Sequence, residues 1–589
     1  MSIFKSPVPL LVAPRDDLTI PQFVLDGAEE HPRRPTRPAH VPCLIDDESG
    51  RVIHMEEVRR RSNDLARALK GQWNIGPGDV GMVFPFYECC IANIVPYPVS
   101  LYSPNHVDYG VIIWAVHKLG GVISAHSGAL STEELAYQIR IASPVLLFAH
   151  PENLSTARNA LHKFDSLQIR LALVDDEPRI NLGLTSVNSL IQESTRYPSY
   201  VEHKLGPGKG KSTIAFLCYS SGTTGNPKAV AISHHNVIAN LVQVATFNGM
   251  SNDTNSQSER FRPGDVCAGV LPLYHIYGLV VNLHLMIYAG MTNVIFKRFN
   301  FESLLKSIER HRITHLMIVP PQVVLFCKHP LTKRFDLSSV RFCMVAAAPL
   351  SADMSMQLQQ VFPGAESGQG YGLTETCSGV TIFPLHQRVG TLGGCGQLLP
   401  GTLAKVVKAD GNLAGVGEPG ELYLQGPQVS LGYFGNEQAT ADTFVDGWFR
   451  TGDQVLFDEN GDMFVTDRIK ELIKVKGNQV APSELEGYLL SHESVADAAV
   501  IGIPDDYAGE LPIAFVVLKP DVAAHVTRDV EGAKQIREEL YKHISGLVSR
   551  YKWLDGGIEF VEVIPKSPSG KILRRVLAER IRALPRARL

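Results

Sequence analysis

Tyr219-Ser220-Ser221-Gly222-Thr223-Thr224-Gly225-Asn226-Pro227-Lys228 follows directly on the apolar run Thr213-Ile214-Ala215-Phe216-Leu217-Cys218. A strand-like run ending in two glycines, several hydroxyls and a lysine predicts a loop that turns tightly and aims main-chain amides, hydroxyl donors and one positive charge at a single point. Those are the groups a polyphosphate needs. The stretch is not a Walker A loop: Gly210-Lys211-Ser212 is the nearest match to G-x-x-x-x-G-K-[ST], and Leu205 stands where the first glycine belongs. An ordinary surface loop has a similar composition; a position straight after a buried strand favours phosphate binding.

Upstream and downstream of this loop, from about residue 40 to 460, β-rich apolar runs alternate with amphipathic stretches. Val145-Leu146-Leu147-Phe148, then Ser155 to His162, then Arg170-Leu171-Ala172-Leu173-Val174 are one such cycle. The alternation predicts α/β layers with largely parallel sheets. Past Asp467 the pattern changes to a lysine-rich segment, a helix near Ser483 to Leu490, strands at Ala498 to Ile503 and Ala514 to Leu518, and a helix at Glu531 to Ser545. The expected architecture is a large multi-subdomain N-terminal α/β domain over 1–466 and a smaller, mobile α+β C-terminal domain over 467–589.

The chain of 589 residues is long enough for several domains at roughly 150 residues each. With 44% hydrophobic and 20% charged residues and no repeats, disordered, fibrous and coiled-coil classes fit poorly. A formal charge of -4 argues against a general nucleic-acid-binding surface. Nine scattered cysteines contain no C-x-x-C pair, so neither a zinc cluster nor a dithiol redox site is expected, and a reducing compartment is. The N-terminal apolar stretch is broken by Pro7, Pro9 and Pro14 and is too short for a signal-peptide core. The most apolar window, Phe84 to Tyr102, carries Glu88 and three prolines, which disfavour a membrane-spanning helix.

The loop Tyr219–Lys228 resembles the phosphate loop of the adenylate-forming superfamily, which includes acyl-CoA synthetases, peptide-synthetase adenylation domains and beetle luciferases. The resemblance recurs in order along almost the whole chain. It takes in Leu271-Pro272-Leu273-Tyr274-His275-Ile276-Tyr277-Gly278, Gly368-Gln369-Gly370-Tyr371-Gly372-Leu373-Thr374-Glu375 and Gly447-Trp448-Phe449-Arg450-Thr451-Gly452-Asp453. Asp467-Arg468-Ile469-Lys470-Glu471-Leu472-Ile473-Lys474-Val475-Lys476-Gly477-Asn478-Gln479-Val480 and Pro565-Lys566-Ser567-Pro568-Ser569-Gly570-Lys571-Ile572 complete it. The wording of the segment from Asp467 to Pro482 is most similar to 4-coumarate:CoA ligases and their acyl-CoA ligase relatives.

The resemblance implies a two-step reaction: a carboxylate attacks the α-phosphate of ATP and releases pyrophosphate, and the thiol of coenzyme A then displaces AMP. It implies that Ser220, Ser221, Gly222, Thr223, Thr224, Gly225 and Lys228 hold phosphates, with Thr374 on the α-phosphate and Glu375 on magnesium. Gln369, Gly370, Tyr371 and Gly372 would form the adenine side, with Tyr371 stacked on the base. Asp453 would accept from both ribose hydroxyls beside Arg468. Lys571 would bridge carboxylate and α-phosphate, offsetting the charge that builds up there. Lys470 would be the hinge about which the C-terminal domain rotates, exchanging Lys571 for the face bearing Lys474 and Gln479. Lys476 and Gly477 would border the pantetheine channel, Arg298 would meet a coenzyme A phosphate, and His275 would gate the thiol. Tyr274, Gly278, Val281, Ala346, Gly370, Ser378 and Gly379 would wall the acyl pocket. Without the resemblance, Lys571 is one more cation in a basic tail, Asp453 a turn aspartate, Tyr371 and His275 packed core residues, and the lysines at 470, 474 and 476 a charged strand face.

Departures from the family pattern bear on the acid. Ala346 stands where a glycine usually precedes Ala-Ala-Pro, and Ser378-Gly379 replaces a Pro-Val pair, so a deeper pocket for a longer fatty or extended aromatic acid is expected. The segment Phe84 to Leu101 interrupts what otherwise reads as a strand and turn. The tripeptide Ala587-Arg588-Leu589 resembles a peroxisomal address read by an import receptor. Two alternatives stay open on sequence: an adenylating enzyme that does not use coenzyme A, such as a luciferase-like oxygenase or a carrier-loading domain, and a non-catalytic binding protein on the same fold.

Overall fold

The computed structural model of the protein describes residues 3–10, 12–27, 31–76, 98–164, 168–175, 183–220, 227–251, 260–469, 471–476, 478–505, 507–526, 530–567 and 570–583. Ser221 to Asn226, Lys470, Gly477, residues 77–97 and Ala587-Arg588-Leu589 lie outside the described residues.

Two sheets carry the expected α/β layering. One has six strands in the order Arg170–Leu173, Leu146–Ala149, Pro98–Ser103, Val122–Ser127, Ile214–Ser220, Lys228–Ser233. All its pairs are parallel except the last, a hairpin that brackets the phosphate-loop sequence. The other has nine strands, parallel from Leu44–Asp46 through Thr292–Ile295, Val266–Gly269, His315–Ile318 and Phe342–Val345 to Glu366–Leu373. The helix His234–Phe247, buried along its entire length, packs on a strand of each sheet, Lys228–Ser233 and Ser378–Ile382. Ser233 and Asn236 cap its first turn reciprocally. Buried on every side between two layers, the helix needs partners for its polar side chains: Asn240 donates to the Gly379 carbonyl at 2.8 Å and Gln243 to the Pro400 carbonyl at 2.8 Å.

The alternation read from 40 to 460 fails over its last part. Residues 403–468 form a wholly antiparallel sheet of Leu403–Val407, Gly420–Gln425, Trp448–Phe457 and Met463–Arg468, with Ile3–Lys5 added at its edge. Here burial alternates along the strands, as in Gly420–Gln425, which is the period-2 patterning of an antiparallel sheet with one face on a core. The strand Met463–Arg468 crosses the expected boundary at 466/467, because its pairing with Trp448–Phe457 runs through Arg468. The interruption expected at Phe84–Leu101 is also shorter within the described residues. Pro98 to Leu101 belong to the buried strand Pro98–Ser103, where proline is tolerated as the first residue.

The C-terminal unit has its own core. Its sheet pairs Val495–Asp505 with Gly509–Leu518, flanked by the hairpin Ile473–Val475 and Asn478–Val480, and is packed by the helices Pro482–Ser491 and Val530–Leu547. Arg574 ties it together through Glu471 at 2.8 Å, Glu486, and the Val500 carbonyl at 3.0 Å. Contacts that dock it onto the larger domain include the following two. Lys328 donates to the carbonyls of Leu490 and Val495 at 2.9 and 3.3 Å. Gly570 lies against Val319 and Pro321, where a β-carbon would sit 3.2 to 3.3 Å from their side chains. Among the described residues no helix is long and apolar enough to cross a membrane.

Candidate active site

A cavity of about 1030 Å³ opens where the three N-terminal sheets meet the loop 565–573 of the C-terminal domain. Ser220, Lys228, Tyr274, His275, Val281, Ala346, Gly370, Tyr371, Gly372, Thr374, Glu375, Ser378, Gly379, Asp453, Arg468 and Lys571 all line it. Residues from five separated parts of the chain thus converge on one space.

Ser220 and Lys228 face each other as the cross-strand pair that flanks residues 221–226. Thr374 and Glu375 reach the same cavity by a local device. The strand Glu366–Leu373 bulges between Tyr371 and Gly372, and the Ser378 carbonyl folds back onto Gly372, where a β-carbon would lie 1.8 Å away. Only glycine fits there. Cys377 and Ser378 take positive φ of 51° and 93° to close this turn, which holds Thr374 and Glu375 out at the cavity edge. The buried Glu375 carboxylate accepts from the Tyr433 hydroxyl at 2.9 Å, and the Lys228 ammonium stands 4.7 Å over the Tyr433 ring.

Asp453 and Arg468 sit opposite one another on neighbouring antiparallel strands and approach to 3.3 Å. The Tyr371 hydroxyl donates to the other Asp453 oxygen at 2.6 Å, and the Asp453 amide is held by Thr451 at 3.1 Å. Burial raises the Asp453 carboxyl, while Arg468 and the Tyr371 bond act to keep it ionised. Lys571 enters from a tight loop in which Ser567 hydrogen-bonds its main chain at both N–H and carbonyl. Burial, reinforced by Arg468, pushes its ammonium down to about 8, with Glu471 and Asp453 opposing. A cation that is partly desolvated and faces a cavity is placed to meet an anion.

The remaining wall is apolar. Tyr277, Val281 and Leu285 come off a wide helix, Tyr277–Leu285, whose π-type winding sets residues four apart along the cavity side. Val244, Phe261, Met344 and Ile382 close the far side. Burial drives His275 down to about 4, so its imidazole is neutral near pH 7; its Nδ1 accepts from the Tyr277 amide at 3.3 Å. Ala347, next to the expected Ala346 substitution, carries the positive φ, 73°, so the strain in this loop falls one residue later than the departure from family pattern.

Several sequence-predicted residues are not brought into the cavity. Gln369 uses its amide at both ends on the Leu350 main chain, at 2.9 and 3.1 Å, and does not line the cavity. Gly278 is not a pocket wall: a β-carbon there would lie 2.2 Å from the Pro272 carbonyl, so the glycine permits close backbone packing. Gly379 lines the cavity but does not deepen it by lacking a side chain, because its missing β-carbon points to Leu399 at 3.2 Å and to Asn240. Lys474 and Gln479 pair across the C-terminal hairpin and are exposed, outside the cavity. Lys476 lies over Tyr507 at 4.4 Å, and Arg298 is bound to Glu152 at 2.6 Å. In this arrangement residues of the Lys571 loop, and none of that hairpin's described residues, line the cavity. Tyr433 is the residue the sequence reading missed. Its one signal was an aromatic side chain inside a glycine turn, Leu431-Gly432-Tyr433-Phe434-Gly435.

The model of the AMP-binding enzyme family matches residues 29–434, and that of the AMP-binding enzyme C-terminal domain matches residues 484–571. An acyl-CoA ligase of Cordyceps militaris, cm3C, is 33% identical over 561 residues, covering 91% of this chain and 84% of its own. The 4-coumarate–CoA ligase-like 6 of Oryza sativa subsp. japonica is 34% identical over 550 residues, covering 91% and 83%. Among solved structures, the anthranilate CoA ligase AuaEII in complex with anthranoyl-AMP shares the fold with a TM-score of 0.79 at 24% identity over 97% of this chain and 99% of that one. ATP-bound MatB from Rhodopseudomonas palustris shares it with a TM-score of 0.77 at 24% identity over 96% and 99%. By family match over most of its length and by relatives above 30% identity that cover nine-tenths of it, this chain belongs to the AMP-binding enzyme family of ATP-dependent acyl-CoA ligases.

Proposed function

We propose that this protein activates a medium- or long-chain fatty acid, or an extended aromatic acid, as its acyl-adenylate and passes the acyl group to coenzyme A in the same cavity. The observation that carries the reading is the convergence of Lys228, Glu375, Asp453, Arg468 and Lys571 on one cavity that is also lined by the apolar side chains of Val244, Phe261, Val281 and Met344.

In the first step a carboxylate oxygen attacks the α-phosphorus of ATP and the bond to pyrophosphate breaks. Both reactants are anionic, so the barrier is largely electrostatic and positional. Lys571 offsets charge between carboxylate and α-phosphate, Lys228 offsets charge on the outgoing phosphates, and Asp453 fixes the ribose through its hydroxyls. Glu375 fits a magnesium ion: one carboxylate oxygen is taken by Tyr433, and a hard cation held by one carboxylate, phosphate oxygens and water suits a site with no cluster of three ligating side chains among the described residues. When bound, that ion supplies charge neutralisation on the phosphates.

In the second step the thiol sulfur attacks the acyl carbonyl and AMP leaves. Lys571 lines the cavity here and the described residues of the C-terminal hairpin do not, so this step calls for withdrawal of the Lys571 loop and rotation of the C-terminal domain about Lys470, bringing Lys474, Gln479, Lys476 and Gly477 inward. Arg298 would meet a coenzyme A phosphate by releasing Glu152. The neutral His275 would leave the thiol path by a side-chain turn without losing a charge partner. We also propose import into peroxisomes through Ala587-Arg588-Leu589, tested by whether deleting the tripeptide disperses a fluorescent fusion from peroxisomes into cytosol.

The experiment is pyrophosphate release from ATP and magnesium across fatty and aromatic acids, each with and without coenzyme A. Turnover that requires coenzyme A is expected. Turnover indifferent to coenzyme A would replace this reading with carrier loading or oxygenase chemistry.

A further inference from the structure

Lys228 and Glu375 both line the phosphate end of the cavity, and neither forms an ion pair among the described residues. Opposite charges left unpaired at one end of a cavity need something between them. That something is Tyr433. Its hydroxyl donates to Glu375 at 2.9 Å while its ring face receives the Lys228 ammonium at 4.7 Å. One side chain therefore touches both charges by different chemistries, a hydrogen bond and a cation–π contact.

The placement is enforced by the main chain. The segment 431–434 runs antiparallel beside the strand Lys228–Ser233, with Leu431 and Phe434 donating to the Ala231 and Ala229 carbonyls at 2.9 and 2.7 Å. One residue earlier, the Ser430 amide donates to the Glu375 carbonyl at 2.8 Å. Gly432, at φ 121°, leaves no room for a β-carbon against Thr440, whose hydroxyl takes the Tyr433 amide at 3.0 Å. Phe444 packs edge-on against the ring at 6.0 Å. The ring is thus fixed to the two elements that bear Lys228 and Glu375.

We propose that Tyr433 is a positioning residue that keeps Lys228 and Glu375 apart, so that the lysine stays available to phosphate and the carboxylate to a divalent cation. This rests on the adenylating reading given above. The hydroxyl occupies one Glu375 oxygen and leaves the other for a cation. The ring draws the ammonium onto its face and away from the carboxylate. Without the ring, the two charges would collapse onto each other and be spent before ligand arrives. Outer-shell partners of metal-binding carboxylates act in this way, and their loss typically costs about 10- to 100-fold in metal affinity.

The test uses the full chain, with no acid present, and reads Mn²⁺ binding by electron paramagnetic resonance with α,β-methylene-ATP, which cannot react. Nucleotide binding in excess chelator is measured in parallel. Tyr433→Phe keeps the ring and is expected to weaken nucleotide-dependent Mn²⁺ binding about 10-fold while leaving metal-free nucleotide binding unchanged. Tyr433→Leu removes the ring as well and is expected to weaken both, since Lys228 then pairs with Glu375; adding Glu375→Gln to it should restore metal-free nucleotide binding. Mn²⁺ binding by Tyr433→Phe equal to that of the wild type, or an equal loss with and without metal, would overturn the proposal while the adenylating reading stands. A wild-type chain that binds no nucleotide with Mn²⁺ would overturn both.

Discussion

Tyr371 donates its hydroxyl to Asp453 at 2.6 Å, across two different sheets, while Arg468 approaches the other oxygen of the same carboxylate at 3.3 Å. The carboxylate is therefore oriented before any nucleotide arrives.

Replacing Asp453 by Asn removes the charge that Arg468 faces and half of the acceptor capacity offered to a diol. We expect Asp453→Asn to weaken AMP binding about 10-fold or more by calorimetry, since hydrogen bonds to charged groups contribute roughly 1.5–3 kcal/mol. Tyr371→Phe should weaken it less, as it removes orientation but not charge.

In the proposed adenylation Lys571 would act as an ammonium, and burial brings that ammonium down to about 8. Adenylation, read as acid-dependent exchange of pyrophosphate into ATP, should fall as pH rises through that value. Lys571→Ala should lower exchange by about 10²–10³, with coenzyme A-dependent turnover of a supplied acyl-adenylate changed only a few-fold. The stability sign is opposite to the catalytic one. The folded value lies below the ordinary 10.5, so the charged form costs stability below about pH 8, and that cost fades as pH rises toward 10.5. Lys571→Met should accordingly raise the thermal midpoint at pH 7.

Arg574 serves Glu471, Glu486 and the Val500 carbonyl inside the C-terminal domain. Truncating one partner of a buried ion network leaves uncompensated charge and typically costs about 3–5 kcal/mol. Arg574→Ala is expected to unfold the C-terminal domain at lower denaturant than the N-terminal one, seen as a separate early transition.

The acyl wall should answer to Val281 rather than to Gly379. Val281→Phe projects from the wide helix into the cavity and is expected to lower kcat/KM for long acids by about 10- to 100-fold relative to short ones, in line with 1–3 kcal/mol for filling a hydrophobic pocket. Gly379→Val meets Leu399 and Asn240 instead. Its expected effect is a lower thermal midpoint, about 1–3 kcal/mol of overpacking, with chain-length preference unchanged.

Lys328 holds the C-terminal domain in the arrangement that presents Lys571, through the Leu490 and Val495 carbonyls. Lys328→Met should slow pyrophosphate exchange several-fold and leave thioester formation from acyl-adenylate equal or faster, when the two half-reactions are timed separately.

The amino-acid sequence by itself determined the elements and the chemistry they carry. The strand before Ser220, the helices at 155–162 and 531–545, and the ordered motifs ending at Lys571 are legible because periodicity, glycine turns and motif spacing are local properties of the chain. The antiparallel sheet of 403–468 was not legible within a longer α/β alternation, since strand direction depends on which partner a strand finds. Tertiary structure alone decided where side chains point. It turned Gln369 onto Leu350, set Gly278 on the Pro272 carbonyl, aimed the missing side chain of Gly379 at Leu399, and put Tyr433 between Lys228 and Glu375. The physical reason is that a residue's type is written in the chain, but its direction is set by the close packing of elements that lie far apart in sequence.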